Sequence, residues 1–295
     1  MYSQIDSNKR KTTLLIVIFI AVVMLAGWAF SVYSKSGYGS LAIAAIISTG
    51  MSLFGFYQGD KLALFTAGAK PLAQGENPYV SRMVENLCIT SGIPMPKIYI
   101  MPDPAINAFA TGRDPEHASI AVTLGAIEKL ENEELEGVLA HELSHIKNYD
   151  IRLMMIVIVL VGILSLLGDW FLRFRFGGRG GRDKAGGQIG TILLIAGIVL
   201  LILSPIIGRL IQFAISRKRE YLADASSALL TRYPEGLARA LEKIKMENIP
   251  LDHANNATAH LYIANPFGGA KHLASKLFST HPPIDDRIAE LRKMA

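Results

Sequence analysis

Between Thr12 and Gly59 the chain carries a single charged side chain, Lys35. This stretch constrains the fold more than any other. A helix that crosses a bilayer needs about 20 apolar residues, and backbone in lipid must bond to itself, so such segments are helical. Thr12 to Ser34 and Ser36 to Gly59 each meet that length. Two further uncharged runs follow: Leu153 to Gly168, between Arg152 and Asp169, and Ala185 to Gly208, where Pro205 predicts a kink. The first, second and fourth runs read as spans; the third spans if Asp169 or Arg152 sits at the interface. Trp28, Tyr33 and Trp170 lie near run ends, where interfacial aromatics belong. Lys9-Arg10-Lys11 precedes the first run as in a secretion signal, but that run is long and another follows at once. A retained membrane hairpin is the reading.

The remaining composition fits. Hydrophobic residues make up 51% of 295, the excess sitting in those runs. The net charge of +5 is modest, and the basic residues cluster beside apolar runs, which points to membrane orientation and away from nucleic acid. One cysteine, Cys88, excludes an intrachain disulfide and a thiolate metal cluster.

Chemistry enters at His141-Glu142-Leu143-Ser144-His145. Each helical residue turns about 100°, so His141 and His145 stack on one face and can grip one Zn²⁺. Glu142 lies close enough to take a proton from the attacking water. Asn132 is the expected N-cap, Glu133, Glu134 and Glu136 suit the positive helix end, and no Gly or Pro interrupts Val138 to Ile151. The bland alternative is a solvated helix face with two chance histidines.

A catalytic zinc takes three protein ligands and keeps one open position. The pattern H-E-x-x-H-x-x-G-x-x-H is excluded, because Asn148 and Ile151 stand where Gly and His are needed. The other common third ligand is a glutamate on a later helix. Arg219-Glu220-Tyr221-Leu222-Ala223-Asp224 offers Glu220, with Asp224 one turn on to hold an imidazole through its other nitrogen. Spacing leaves an exposed acidic pair beside Arg217-Lys218-Arg219 equally open. Around these motifs, Asn77-Pro78 starts a helix ending at Ser91-Gly92; Lys97 to Met101, Asn107 to Thr111 and His117 to Thr123 read as strands. The arrangement is α+β. Four parts are expected: a hairpin over 1–59, protease parts over 60–150 and 216–295, and a second helix pair, spanning or re-entrant, over 151–215.

The chain resembles the M48 family of membrane zinc metalloproteases over nearly its whole length. The apolar hairpin, Asn107-Ala108-Phe109-Ala110-Thr111-Gly112, His141 to His145, the second apolar pair, Glu220 to Asp224, Ala259 to Phe267 and Ser279-Thr280-His281-Pro282-Pro283 carry the resemblance in order. It implies an α-helical membrane protein with an α+β zincin (gluzincin-like) metalloprotease domain, mostly helical with a small sheet. It implies Glu220 as third ligand, one Zn²⁺ per chain, and an endopeptidase facing the cytosol of a bacterial inner membrane that degrades misfolded membrane proteins under stress. It further implies that His281 and Arg287 face the site and stabilise the oxyanion. Asn107, Ala108, Phe109, Ala110 and Thr111 would form the edge strand on which an extended substrate pairs. His117, His253, His260 and His272 have no ligand spacing and are expected to be structural.

Two rival readings accompany this one. A prenyl-protein (CAAX-type) endopeptidase of the same superfamily shares the zinc site but needs more spans. A catalytically silent scaffold would not need Glu142. The partners expected are protein substrates and the bilayer. For topology, both metal histidines precede the second apolar pair and Glu220 follows it, so that pair must return the chain to one side. Lys9, Arg10, Lys11, Lys61 and Lys70 mark that side as cytosolic. The connector, with Arg173, Arg175, Arg179, Arg182 and Lys184 against Asp183, carries the wrong bias for an exterior loop. Four full spans are nonetheless expected, because early helices dominate orientation and exposed re-entrant backbone is costly.

Overall fold

Two long helices carry the uncharged N-terminal stretch, α1 (Tyr2–Ser34) and α2 (Gly39–Thr66), and they pack against each other. The computed structural model describes residues 2–34, 38–73, 75–157, 217–247, 249–253, 258–267 and 282–294. The connector arginines, the fourth apolar run, all but the start of the third, His272 and His281 lie outside those residues. Leu25, Trp28, Ile43, Ile46, Leu53, Phe54 and Tyr57 project outward from the pair. So large an apolar surface on two helices is what a lipid-facing hairpin presents. Among the described side chains, the Leu41–Thr66 stretch is long and apolar enough to cross a bilayer. α2 runs unbroken through the expected boundary at residue 59, and its last turns reach the protease part. There Ala63, Leu64 and Ala67 pack with Phe109 and Tyr262.

The sheet has the order β1–β2–β4–β3, from β1 (Lys70–Pro71), β2 (Lys97–Met101), β3 (Ala108–Gly112) and β4 (Ala118–Thr123). β2 and β4 are parallel, with Ile98 opposite Ile120. The other pairs are antiparallel, with Ala108 opposite Val122 in the β3–β4 ladder. α3 (Pro78–Ser91) starts and ends where the sequence places it. Asn77 accepts from the Val80 amide, Pro78 opens the first turn, and Gly92 takes the left-handed conformation that ends it. The third strand is shorter than expected at its start. Asn107 stands outside it, its amide bonded to Thr123 Oγ1 and its side chain to Ala108 N and Ala264 O. Residues 115–117 form a 3₁₀ turn, so β4 begins at Ala118.

After α4 (Leu124–Lys129), the motif helix α5 (Asn132–Lys147) packs on β3, on α7 (Arg217–Thr231) and on α8 (Pro234–Glu247). Its N-cap is Glu131, not Asn132: the Glu131 amide donates to the Glu134 carboxylate three residues on. Gly137 lets α5 and α8 approach, since a Cβ there would lie 2.7 Å from the Leu237 nitrogen. α5 does not continue to Ile151. It stops at Lys147, Asn148 caps it, Tyr149 adopts φ 59°, and a new helix, α6, is described over residues 150–157. A non-glycine residue in that region is uncommon, and here the Tyr149 ring is covered by Lys9 Nζ at 4.5 Å and the Arg152 guanidinium at 5.0 Å. α6 then runs beside α1, with Leu153, Ile156 and Val157 against Leu15 and Phe19. The C-terminal helix α9 (Ile284–Arg292) packs on α7 and α8. The protein is mostly helical, with one small mixed sheet.

Candidate metal centre and active site

α5 and α7 meet with their buried polar faces together. On α5 these are His141, Glu142 and His145; on α7, Glu220 and Asp224. The ligand atoms of His141, His145 and Glu220 lie within 4.8 Å of one another. The two imidazole Nε2 atoms are 3.2 Å apart, and Glu220 oxygens stand 3.9 Å from His141 Nε2 and 3.8 Å from His145 Nε2. Each ring's other nitrogen is occupied by a carboxylate: His141 Nδ1 lies 2.9 Å from Asp224, and His145 Nδ1 lies 3.1 Å from Asp150. A carboxylate there keeps a proton on Nδ1 and turns both Nε2 atoms toward the shared centre. Two Nε2 atoms 3.2 Å apart, with a carboxylate alongside, can share a proton or hold a cation in its place.

Electrostatics agree. Burial drives His141 down to about 4, with the Asp224 contact opposing that shift. Burial also lowers His145, but the Asp150 hydrogen bond and the charges of Glu220, Asp150 and Glu142 outweigh it and lift this imidazole to about 9. In the absence of a metal the pair therefore holds one proton, which a cation must displace. Glu142 is pushed up to about 7, chiefly by burial and then by the Glu220 charge. The Ala110 amide hydrogen-bonds its carboxylate, while Oε2 is buried with no hydrogen-bond partner among the described residues. An orphaned carboxylate oxygen on the motif helix fits a group waiting for a water.

The two supporting carboxylates are themselves held, Asp224 by an arginine and Asp150 chiefly by an amide. Arg287, fully buried on α9, forks onto Asp224 through Nε at 2.9 Å and Nη2 at 2.6 Å, and Nη1 donates to the Ile263 carbonyl at 3.0 Å. Three of its N–H groups are thus committed away from any substrate. Asp150 is approached by Arg219 Nε at 3.6 Å and by Asn8 Nδ2 at 2.7 Å. Sequence reasoning missed Asp150 and its partners. On an unbroken helix Asp150 would point away from His145; the turn at Asn148–Tyr149 folds it back.

β3 sits at the sheet edge and passes beside the motif helix, with Ala108 to Thr111 all buried. Ile263 donates to Ala108 O at 3.0 Å, so the segment around 259–264 lies against part of that edge. Of the structural histidines, His260 is buried beside the Met154 carbonyl and His117 is exposed against Asp114. Asp114, Glu116 and His117 form another such group, exposed at Glu116 and His117, with half-buried Asp114 engaged as the cap of the 3₁₀ turn. Burial pushes the Cys88 thiol up to about 11, which leaves it unreactive.

Residues 74–295 match the model of peptidase family M48. The chain belongs to that family. As an M48 peptidase it is a membrane metalloprotease, and its relatives agree. A protease HtpX homolog from Dictyoglomus thermophilum is 45% identical over 293 residues, covering 99% of this chain and 94% of the relative. Those of Caldanaerobacter subterraneus and Lactobacillus acidophilus are 45% and 43% identical, and both alignments cover the whole of this chain. Among solved structures, Ste24p of S. mikatae has the same fold, with TM-score 0.55 at 19% identity; the match covers 99% of this chain and 66% of that longer one. M48 membership implies a metal, and His141, His145 and Glu220 are the buried group able to hold one among the described residues.

Proposed function

We propose that this M48 protein is a membrane-integrated zinc endopeptidase that cleaves misfolded membrane proteins from the cytosolic face. The observation that carries it is the convergence of two imidazoles and one carboxylate, with each imidazole's far nitrogen held by a second carboxylate. Two nitrogens and one oxygen in a buried, borderline-soft set favour zinc over magnesium or calcium. When bound, zinc would lower the pKa of water and polarise the scissile carbonyl. Glu142 takes the proton of the attacking water on Oε2 and hands it to the leaving amine. The Ala110 amide steadies the carboxylate during both transfers. Arg287 and Asp224 hold His141 in place, as Asp150 holds His145. With Arg287 engaged in this way, its contribution is positioning, and the oxyanion donor is His281. An extended peptide would pair with the outward groups of β3, displacing the contact from Ile263.

Four spans serve this reading. α1 and α6 pack side by side near the site, with Leu153, Ile156 and Val157 at the start of the third apolar run against Leu15 and Phe19 of the hairpin. The basic residues at the start of α1 then lie on the cytosolic side with the metal. The test is casein cleavage by the full chain in detergent, with metal analysis, before and after a chelator. Activity that follows about one bound zinc per chain supports the proposal, and undiminished cleavage by the chelated protein refutes it.

A further inference from the structure

Before the first uncharged run, on the second turn of α1, Asn8 is 1% exposed, and every polar atom of its side chain is used. Its Nδ2 donates to Asp150 Oδ1 at 2.7 Å and to the Asn148 carbonyl at 2.9 Å, and its Oδ1 accepts from Arg219 Nη1 at 3.4 Å. These partners lie 140, 142 and 211 residues away in sequence. They are the residue that caps the motif helix, the carboxylate on His145, and the neighbour of Glu220. A buried amide at that junction is either filling space or placing its partners.

The comparison between the two supporting carboxylates decides between these. Asp224 receives a full guanidinium fork, with Arg287 contacts of 2.9 and 2.6 Å. Arg219 offers Asp150 no such fork, coming only to 3.6 Å from Oδ1. The short contact on Oδ1 is the one from Asn8. Asp150 has Oδ2 on His145, so its orientation is set by what holds Oδ1. The same amide also pins the Asn148 carbonyl, within the turn that swings Asp150 toward His145. Lys9, next along α1, covers the Tyr149 ring that occupies the strained position of that turn.

We infer that Asn8 is a positioning residue of the metal centre: it fixes Asp150, and through Asp150 the His145 imidazole, so that the membrane hairpin is part of the catalytic assembly. The inference rests on the proposed ligand set. Partners that touch a metal ligand directly are worth about 10–100-fold in affinity, and Asn8, one residue further out behind Asp150, should fall near the lower end.

The experiment measures zinc affinity of the full-length protein in detergent, by competition with a chromophoric chelator, alongside the melting temperature of the metal-free form. Asn8→Leu keeps the size and removes every hydrogen bond. Thr12→Val is the control: Thr12 is buried one turn further along α1 and, among the described residues, its hydroxyl bonds to the Asn8 carbonyl alone. The expected result is about tenfold weaker zinc binding in Asn8→Leu and unchanged affinity in Thr12→Val. Because Asn8 acts through Asp150, Asn8→Leu should add little further loss in an Asp150→Asn background. Wild-type affinity in Asn8→Leu, equal losses in both α1 variants, or additive losses with Asp150→Asn would each overturn the inference. His145→Ala separates the two levels. If it retains the metal, the ligand set is wrong; if it loses the metal while Asn8→Leu does not, only the role of Asn8 fails.

Discussion

Replacing Asp224 with Asn changes one oxygen to an amide and leaves the volume intact, yet the local geometry cannot accommodate it. Asp224 Oδ1 receives both His141 Nδ1 at 2.9 Å and Arg287 Nη2 at 2.6 Å, and Oδ2 receives Arg287 Nε at 2.9 Å. An asparagine has one acceptor oxygen for these three donors. If that oxygen takes the Oδ1 place, its NH₂ faces the Arg287 Nε–H. In the other orientation, the NH₂ faces both His141 and Nη2. Arg287 is left as a buried cation without its counter-charge, and breaking such a pair costs about 3–5 kcal/mol. His141 loses its anchor, which should weaken zinc binding by about 10–100-fold, or about 1.4–2.7 kcal/mol. Chelator competition reads the affinity, and thermal unfolding of the metal-free protein reads the fold. Wild-type zinc affinity in Asp224→Asn would refute the claim that this carboxylate orients His141.

The proton shared by the histidine pair makes metal binding pH-dependent. With His145 lifted to about 9 and His141 lowered to about 4, the pair is singly protonated between those values, and binding releases that proton. Apparent zinc affinity should rise about tenfold per pH unit up to about pH 9 and then level. A flat profile between pH 6 and 8 contradicts the assignment. For topology, a cysteine placed at Gly180 in a Cys88→Ser background should react with a membrane-impermeant thiol reagent on intact cells. One placed within 252–256 should not. Protection of position 180 until the membrane is opened would replace four spans with a re-entrant pair.

How much of this was legible in the chain depended on distance along it. The approach of the His141 and His145 imidazoles is local, set by a four-residue spacing on a helix, and is legible in the sequence. Glu220 and Asp224 are again four apart, so once Glu220 faces the two imidazoles, Asp224 reaches His141. The start and stop of α3 were equally plain, because Asn77, Pro78 and Gly92 act within a turn of themselves. Asp150 was hidden for a physical reason. The break after Lys147 uses Asn148 and a left-handed Tyr149, with no glycine or proline to announce it. What stabilises that turn comes from α1 and α6, through Lys9 and Arg152 stacked on the Tyr149 ring. The resemblance implies an oxyanion role for Arg287; its fork onto Asp224 joins residues 63 apart, which no local pattern carries. Asn8 gave no signal at all: a single amide before an apolar run has no pattern until the tertiary fold brings Asp150 to it.

The measurement that bears most directly on the central claim is Glu142→Gln in the full-length protein, assayed for zinc content and casein cleavage on the same sample. Glutamine keeps the shape of the side chain and cannot take a proton, and Glu142 is not among the residues proposed to hold the metal. About one zinc per chain is expected, in the variant as in the wild type, with turnover reduced by about 10²–10⁴. Near-normal cleavage by the zinc-loaded variant would contradict the role of Glu142 as the base, and loss of the metal would contradict the ligand set.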